Sequence, residues 1–138
     1  MAIKNYTTRI SASKTIAEIQ EMLVKHGASR IVINYDEEGH AQGIMFSIFN
    51  VGSYSLPCRI DGVWNLFKEQ KLTGATYEQA EKTAWRNVKD WIAAQIALVE
   101  SEQASFEEVM LPYMLSHGRT LYDAMKGQFA CLEEGDAE

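Results

Sequence analysis

The sequence predicts an α+β domain with a small antiparallel sheet in its N-terminal half and helices in its C-terminal half. Two observations support this. Between Ser29 and Ile60, apolar residues recur at every second position, which is the period of strands buried on one face. From Thr76 to Glu102 they recur at helical spacing. We therefore predict an N-terminal helix, three or four strands, and a helical half built on one long helix.

The N-terminal elements begin with a short segment that is rich in β-forming residues. Residues Asn5–Ile10 predict a first strand. Thr15 and Glu18 have the spacing of a capping box, so a helix is predicted to begin at Thr15. Gly27 follows two basic residues and is expected to end that helix.

The next segment predicts a three-stranded antiparallel meander. Its strands are expected at Ser29–Tyr35, Ile44–Ile48 and Ser53–Ile60, with a turn at Asp36–Gly39 between the first two. Pro57 cannot donate a ladder hydrogen bond, so the third strand is predicted to lie at an edge of the sheet.

Four helices are predicted after the sheet. Asp61 is expected to cap a short helix, and Thr76–Gln79 forms a second capping box, which opens the long helix. Ser105–Glu108 forms a third box, and Pro112 is expected to kink or end the helix that it starts. Thr120–Asp123 is expected to open a last helix.

The long helix is apolar over two adjoining rows of side chains. One row contains Ala84, Val88 and Trp91. The sheet can cover one row, and the short helices after Ser105 are expected to cover the other only in part. We therefore predict a homodimer packed through the long helix, with Trp85 or Ile92 near its centre. The candidate interface residues are Trp85, Ile92, Ile96 and Val99.

The same helix carries a stripe of basic residues beside an aromatic one. This stripe is a candidate nucleic-acid face, in which the aromatic ring would be a stacking surface. It consists of Lys82, Trp85, Arg86 and Lys89. Glu78 and Asp90 half neutralise it along the helix, and Trp85 also fits a core-facing row. A solvated helix face is therefore the alternative interpretation.

A cluster of hydroxyl groups precedes the first helix. Together with free backbone amides at a helix start, it could bind a phosphate or a carboxylate. The candidate anion site consists of Ser11, Ser13, Lys14 and Thr15. The segment lacks the glycines of a phosphate-binding loop, so helix capping alone is the alternative.

No residue pattern in the chain predicts a metal site, a cofactor or a catalytic motif, and we do not expect an enzyme. His26, His40 and His117 lie on three different elements, without the spacing of a helical metal pair. Cys58 and Cys131 are too few for a disulfide framework and are predicted to be reduced thiols.

Length, charge and hydropathy indicate the class of protein. The 138 residues have the length of one domain, which we place at residues 1–130, followed by an acidic, frayed tail at 131–138. A net charge of −6 disfavours a phosphate backbone as partner. There is no signal peptide before Ile3 and no apolar run of about 20 residues, so we expect a cytoplasmic protein without a membrane partner.

Several stretches together resemble a known family. They are SASKTIAEIQEMLVKHGA, LPCRIDGV, AEKTAWRNVKDWIAAQIALVE, LPYML and GRTLYDAMK. Over about residues 1–127 the chain is similar to a family of small proteins, without an established mechanism, encoded by bacteriophages and prophages of Gram-positive bacteria. The resemblance implies a phage protein that works in the bacterial cytoplasm, and it implies no site residues.

These observations lead to one leading hypothesis and two alternatives for function. The leading hypothesis is a phage accessory protein that binds a host or phage protein complex stoichiometrically, with anti-CRISPR-like inhibition of a host defence system as one form. The first alternative is a nucleic-acid-associated protein of phage replication or recombination. The second is a binder of a small anionic ligand or nucleotide at the candidate anion site.

Overall fold

The computed structural model describes residues 1–129 and Leu132 of the chain. The elements, in chain order, are α1 (Ala12–Lys25), β1 (Ala28–Tyr35), β2 (Ala41–Ile48), β3 (Gly52–Pro57), α2 (Ile60–Gln70), α3 (Tyr77–Glu100), α4 (Phe106–Met110), a 3-10 turn (Leu111–Tyr113), β4 (Leu115–Ser116), β5 (Arg119–Thr120) and α5 (Leu121–Met125). The predicted α+β fold, with a helical half built on one long helix, is confirmed.

The three main strands form the predicted antiparallel meander in the order β1-β2-β3. Ile33 pairs with Ile44, and Phe46 pairs with Tyr54. These side chains share the face of the sheet that packs on the helices, because side chains alternate between the two faces of a strand. The third strand ends at Pro57, earlier than predicted, since Ile60 already belongs to α2.

The two outer strands have different surroundings. Beside β3, Tyr54 forms an isolated antiparallel bridge with Met114, so the chain that precedes β4 covers part of this edge. The main contacts of β1 are with β2 and α1. The predicted edge position of Pro57 is confirmed, and the edge of β1 has no partner strand among the described residues.

The core lies between the sheet and the helices α1, α2 and α3. Its largest fully buried side chains include Trp85, Tyr54, Phe46 and Phe67. Phe46 and Tyr54 stack with ring centroids 5.4 Å apart, and the ring of Phe106 meets both at an edge. The hydroxyl of Tyr54 is buried without a hydrogen-bond partner within the described part of the chain, and burial raises its pKa.

Two predicted helix starts are wrong. Ser11 caps α1, because its extended backbone lets the hydroxyl accept a hydrogen bond from the amide of Lys14 at 3.1 Å. Thr15 lies one turn inside the helix and is fully buried. Helix α2 begins after Arg59, and the carboxylate of Asp61 accepts a hydrogen bond from the Tyr77 hydroxyl at 2.8 Å instead of capping the helix.

The other predicted caps occupy the expected positions. Thr76 caps α3 by accepting from the amide of Gln79, whose side chain instead donates to the carbonyl oxygens of Tyr6 and Thr8. Ser105 forms a complete capping box with Glu108. The long helix is therefore joined at its first turn to the N-terminal segment.

The predicted N-terminal strand is wrong, because residues 4–7 form turns. Asn5 has a left-handed backbone with φ of 66°, and its amide donates to side chains of α3 at Asn87 and Asp90. The carbonyl of Asn5 accepts from Thr83 at 2.9 Å. This segment is thus held by side chains of α3.

Two features of the C-terminal part complete the fold. The Pro112 prediction is confirmed, since α4 ends at Met110 and the chain continues in the 3-10 turn. The small β4–β5 hairpin was not predicted, and its turn contains His117 and Gly118, both with positive φ. The acidic residues of the tail, and Cys131, lie outside the described residues, so the predictions for them stay predictions.

Candidate functional site

The residues predicted to form a dimer interface lie inside one chain. Trp85 and Ile92 are fully buried, and Ile96 is 6% exposed, whereas Val99 is partly exposed. Helix α3 contacts α1, α2 and α4, and the indole nitrogen of Trp85 donates to the carbonyl of Ala41 in β2 at 3.1 Å. The prediction of an interface centred on Trp85 or Ile92 is wrong, because both side chains are buried against neighbouring elements of the same chain.

The predicted nucleic-acid face is also divided by the fold. The buried ring of Trp85 cannot stack on a base. Arg86 donates to both carboxylate oxygens of Glu18 in α1, at 3.0 and 3.1 Å, and it approaches the Thr15 hydroxyl at 3.4 Å. Lys82, Arg86 and Lys89 all keep partly exposed side chains, but the guanidinium of Arg86 is paired with Glu18. The proposed combination of an aromatic ring with three cations is therefore wrong.

The candidate anion site is only partly preserved. Thr15 is buried and cannot reach a ligand, while Lys14 is exposed on the surface of α1. Ser11 and Ser13 lie 3.3 Å apart between their hydroxyl oxygens. These two serines line a cavity that also contains Lys82 from the predicted nucleic-acid face. The fold thus brings together residues that the sequence assigned to two sites.

This cavity, the α1–hairpin groove, has a volume of about 580 Å³ and lies between α1, α3 and the β1–β2 hairpin. Its floor contains the apolar side chains of Ile16, Ile33 and Ala41. The complete lining is Ser11, Ala12, Ser13, Ile16, Gln20, Ile33, Tyr35, Gly39, Ala41, Glu78, Glu81 and Lys82. The groove therefore combines an apolar floor with hydroxyl groups and charges of both signs.

A hydrogen bond between His40 and Glu81 joins the hairpin to α3 at the edge of this groove. Nδ1 of His40 lies 3.2 Å from a carboxylate oxygen of Glu81, and both side chains are largely buried. The hydrogen bond to Glu81 raises the pKa of His40 above its ordinary value of 6.5, although desolvation opposes the shift. The His40 ring meets the ring of Tyr77 at an edge, with centroids 4.9 Å apart. This contact fixes the hairpin against the start of α3.

The chemistry available in the groove is recognition of a ligand with mixed character. Serine hydroxyls and Lys82 can donate to a phosphate or carboxylate, and Glu78 can accept from an amine. The neighbouring thiol of Cys58 is buried, and burial raises its pKa to about 12, so it remains protonated and unreactive at neutral pH.

A second surface feature lies in the C-terminal part and was missed in the sequence. We define the C-terminal patch as Leu111, Tyr122, Met125 and Phe129, whose side chains are 50%, 47%, 37% and 47% exposed. The rings of Tyr122 and Phe129 stack with centroids 5.8 Å apart. Periodicity could not reveal this patch, because α5 is only five residues long.

Within residues 1–129, no helix combines the length and apolarity needed to cross a membrane. Nor do the described residues contain three His, Cys, Asp or Glu side chains grouped as metal ligands. Comparison with protein-family models, curated proteins and solved structures found no match.

Proposed function

We propose that the protein is a phage-encoded accessory protein that acts by stoichiometric binding to a host or phage protein. Inhibition of a host defence complex is one form of this activity. The C-terminal patch is the observation that carries the proposal. Other large apolar side chains of the described residues are exposed as well, but the patch combines four of them on one short segment, and the rings of Tyr122 and Phe129 stack on each other.

The composition and arrangement of the patch support a protein partner. Aromatic and methionine side chains are enriched where proteins bind each other. Tyr122 and Met125 are three residues apart on α5, which places them on one face, and Phe129 stacks on Tyr122. Rings held against each other lose little conformational freedom on binding, so they suit an interface anchor.

The charge beside the patch indicates the kind of partner. Glu107 and Glu108 are exposed on α4, shortly before Leu111, whereas the exposed Lys126 next to Met125 is paired with Asp123. Carboxylates beside apolar anchors complement a partner with basic residues around an apolar pocket. Proteins that act on nucleic acids carry such basic surfaces, since they neutralise phosphates.

Affinity purification from infected and uninfected host cells tests this function. The wild-type chain is expected to retain one protein at near-stoichiometric yield, and the purified pair should form a one-to-one complex in light scattering. Tyr122→Ser with Phe129→Ser should weaken that complex at least tenfold, about 1.4 kcal/mol, because the anchors are removed. Phe49→Ser is the matched control, since it removes an exposed ring from the β2–β3 turn. The proposal fails if no partner is retained or if the double variant binds as the wild type does.

A small anionic ligand in the α1–hairpin groove is the second candidate function. The observation that favours it is the shared lining of Ser11, Ser13 and Lys82. Inorganic phosphate or a nucleotide at a hundred times its dissociation constant should stabilise the fold by about 2.7 kcal/mol. Lys82→Ala should abolish this shift, whereas Lys14→Ala, outside the groove, should keep it. An unchanged melting temperature across both ligands would exclude this candidate.

A further inference from the structure

We propose that two copies of the chain associate through the outer edge of β1, joining their sheets by antiparallel pairing of β1 with β1. This inference concerns a surface separate from the C-terminal patch and does not depend on the proposed partner. It rests on the backbone of β1, on the exposed face of α1 beside it, and on the charges at the two ends of the strand.

One hydrogen bond, between β2 and the chain just after β3, shows which residues of β2 direct their backbone groups towards β3 and which direct them towards β1. The amide of Cys58 donates to the carbonyl of Gln42 at 2.8 Å, so these opposite residues form a hydrogen-bonded pair. Bonded and non-bonded pairs alternate in an antiparallel ladder. Even-numbered residues of β2, such as Ile44, therefore direct their backbone groups towards β3. Odd-numbered ones, such as Met45, direct theirs towards β1.

The same alternation fixes the backbone directions in β1. Val32 lies opposite Met45, so the two form a hydrogen-bonded pair. It follows that Ile31 and Ile33, on either side of Val32, direct their amide and carbonyl groups outward. Among the described residues, no backbone hydrogen bond from outside the sheet reaches either of them. Unpaired edge groups of this kind are a template for another strand.

A second copy can satisfy these groups with a two-fold axis at Val32. In that register Ile31 pairs with Ile33 of the second copy, and the two Val32 residues face each other in a non-bonded pair. Pairs of this kind have Cα atoms about 4.5 Å apart. Any register shifted by one residue would place outward groups opposite inward ones, so it would form no ladder.

The exposed face of α1 lies next to this edge and supports the same partner. Ala17, Gln20, Glu21 and Val24 have the spacing of one helix face and line a shallow depression of about 500 Å³. Val24 is 60% exposed. Because α1 packs on β1, pairing of two β1 strands brings the α1 helices of both copies together. The exposed face of α1 in one molecule would then be covered by the same face of the second copy.

Charges at the two ends of β1 are complementary in this register. The regular part of β1 ends at Asn34, which would lie opposite Arg30 of the second copy, so the hairpin turn with Glu37 and Glu38 would approach the end of its α1. At that helix end His26 contacts Glu100 of its own chain, while Lys25 is exposed and forms no ion pair within the described part of the chain. Two acidic turns would thus each approach a basic helix end, which favours a second copy over a generic extended peptide.

Disulfide trapping tests the register directly. In a Cys131→Ser background, Val32→Cys should form a cross-linked dimer under mild oxidation, because facing residues of a non-bonded pair meet disulfide distances. Met45→Cys is the control, since it lies on the same sheet face but on the middle strand. Cys58 is buried and should not react. Absence of the Val32→Cys dimer, or equal cross-linking of Met45→Cys, would overturn the register.

A second pair of variants separates the contribution of the β1 backbone to dimer formation from that of the Ile33 side chain. Ile33→Pro removes the outward amide, whereas Ile33→Ala removes a similar amount of side chain and keeps it. Light scattering should show a dimer for the wild type at tens of micromolar, and a dissociation constant at least tenfold higher for Ile33→Pro than for Ile33→Ala. A monomeric wild type overturns the proposal, as does a dimer equally stable in both variants. If Ile33→Pro does not fold, the disulfide result decides.

Discussion

Helix α3 and the C-terminal segment, residues 111–129, are both rich in apolar side chains but use them differently. In α3 most of the apolar side chains pack into the core, with Trp85 and Ile92 fully buried. In the C-terminal segment, Tyr122 and Phe129 remain about half exposed. The difference follows from position, because α3 packs against three helices and its Trp85 reaches the sheet, whereas the main contacts of α5 are with the 3-10 turn and β5. Apolar content alone therefore does not predict which surface is available to a partner.

Polar side chains of the two regions differ in the same way. On α3, Glu81 contacts His40, Trp85 donates to the sheet, and Arg86 binds Glu18 of α1. Each contact joins the helix to a different element. In the C-terminal segment the corresponding ion pair is local, between Asp123 and Lys126 on an exposed surface. Substitutions should thus affect stability in α3 and binding in the C-terminal segment.

The largest expected effect is that of Trp85→Ala. It removes the largest fully buried side chain and leaves the Ala41 carbonyl without its indole donor, so we expect a loss of about 3–5 kcal/mol in the free energy of unfolding. Urea denaturation measures this loss. Lys89→Ala, on the partly exposed side of the same helix, should change stability by less than about 0.5 kcal/mol. A loss below about 1 kcal/mol for Trp85→Ala would contradict its core position.

Removal of the Arg86–Glu18 pair should have an intermediate effect. Arg86→Gln is expected to cost about 1–2 kcal/mol, because it leaves a half-buried carboxylate without its charged donor. A double-mutant cycle with Glu18→Gln should show a coupling of about 1 kcal/mol. Additive effects of the two substitutions would mean that the contact between α1 and α3 contributes little.

The His40–Glu81 pair should give a pH-dependent contribution. Since the pKa of His40 is raised on folding, the pair stabilises the fold fully below the unfolded value of 6.5 and loses its effect as pH rises through the folded pKa. The difference in melting temperature between the wild type and His40→Gln should therefore be larger at about pH 5.5 than at about pH 9. A difference that grows with pH would show that the sign is wrong.

Phe129→Ser should have the smallest effect on stability. Its side chain is about half exposed and contacts Tyr122 on the surface, so the expected change is within about 0.5 kcal/mol by urea denaturation. Tyr122→Ser serves as the companion variant. If either substitution unfolds the chain, the C-terminal patch belongs to the core and its proposed binding role has no basis.

Local signals predicted much of the fold. The period of two located the strands, and the hydroxyls of Thr76 and Ser105 located two helix starts, because capping acts within one turn. The choice between Ser11 and Thr15 could not be made locally, because Thr15 is buried against α3, where its hydroxyl accepts from Arg86, 71 residues away, at 3.4 Å. Likewise, the β-forming composition of Asn5–Ile10 was overridden by hydrogen bonds to α3.

The α1–hairpin groove could not be predicted for a related reason. Its walls come from three elements, and nothing in the local sequence places Ser11 beside Lys82. The role of Trp85 was equally undetermined, because helical spacing gives the width of an apolar face but not the number of elements that cover it. The two-residue strands β4 and β5 are too short for any period to be visible.

The bridge between Tyr54 and Met114 has a consequence for growth of the sheet. A sheet with two open edges could add copies without limit, as fibrils do. Here one edge is blocked by the segment around Met114 and by Pro57, which offers no amide. Each molecule could therefore accept one further strand, at the edge of β1. Polymerisation through this sheet would terminate at a closed pair.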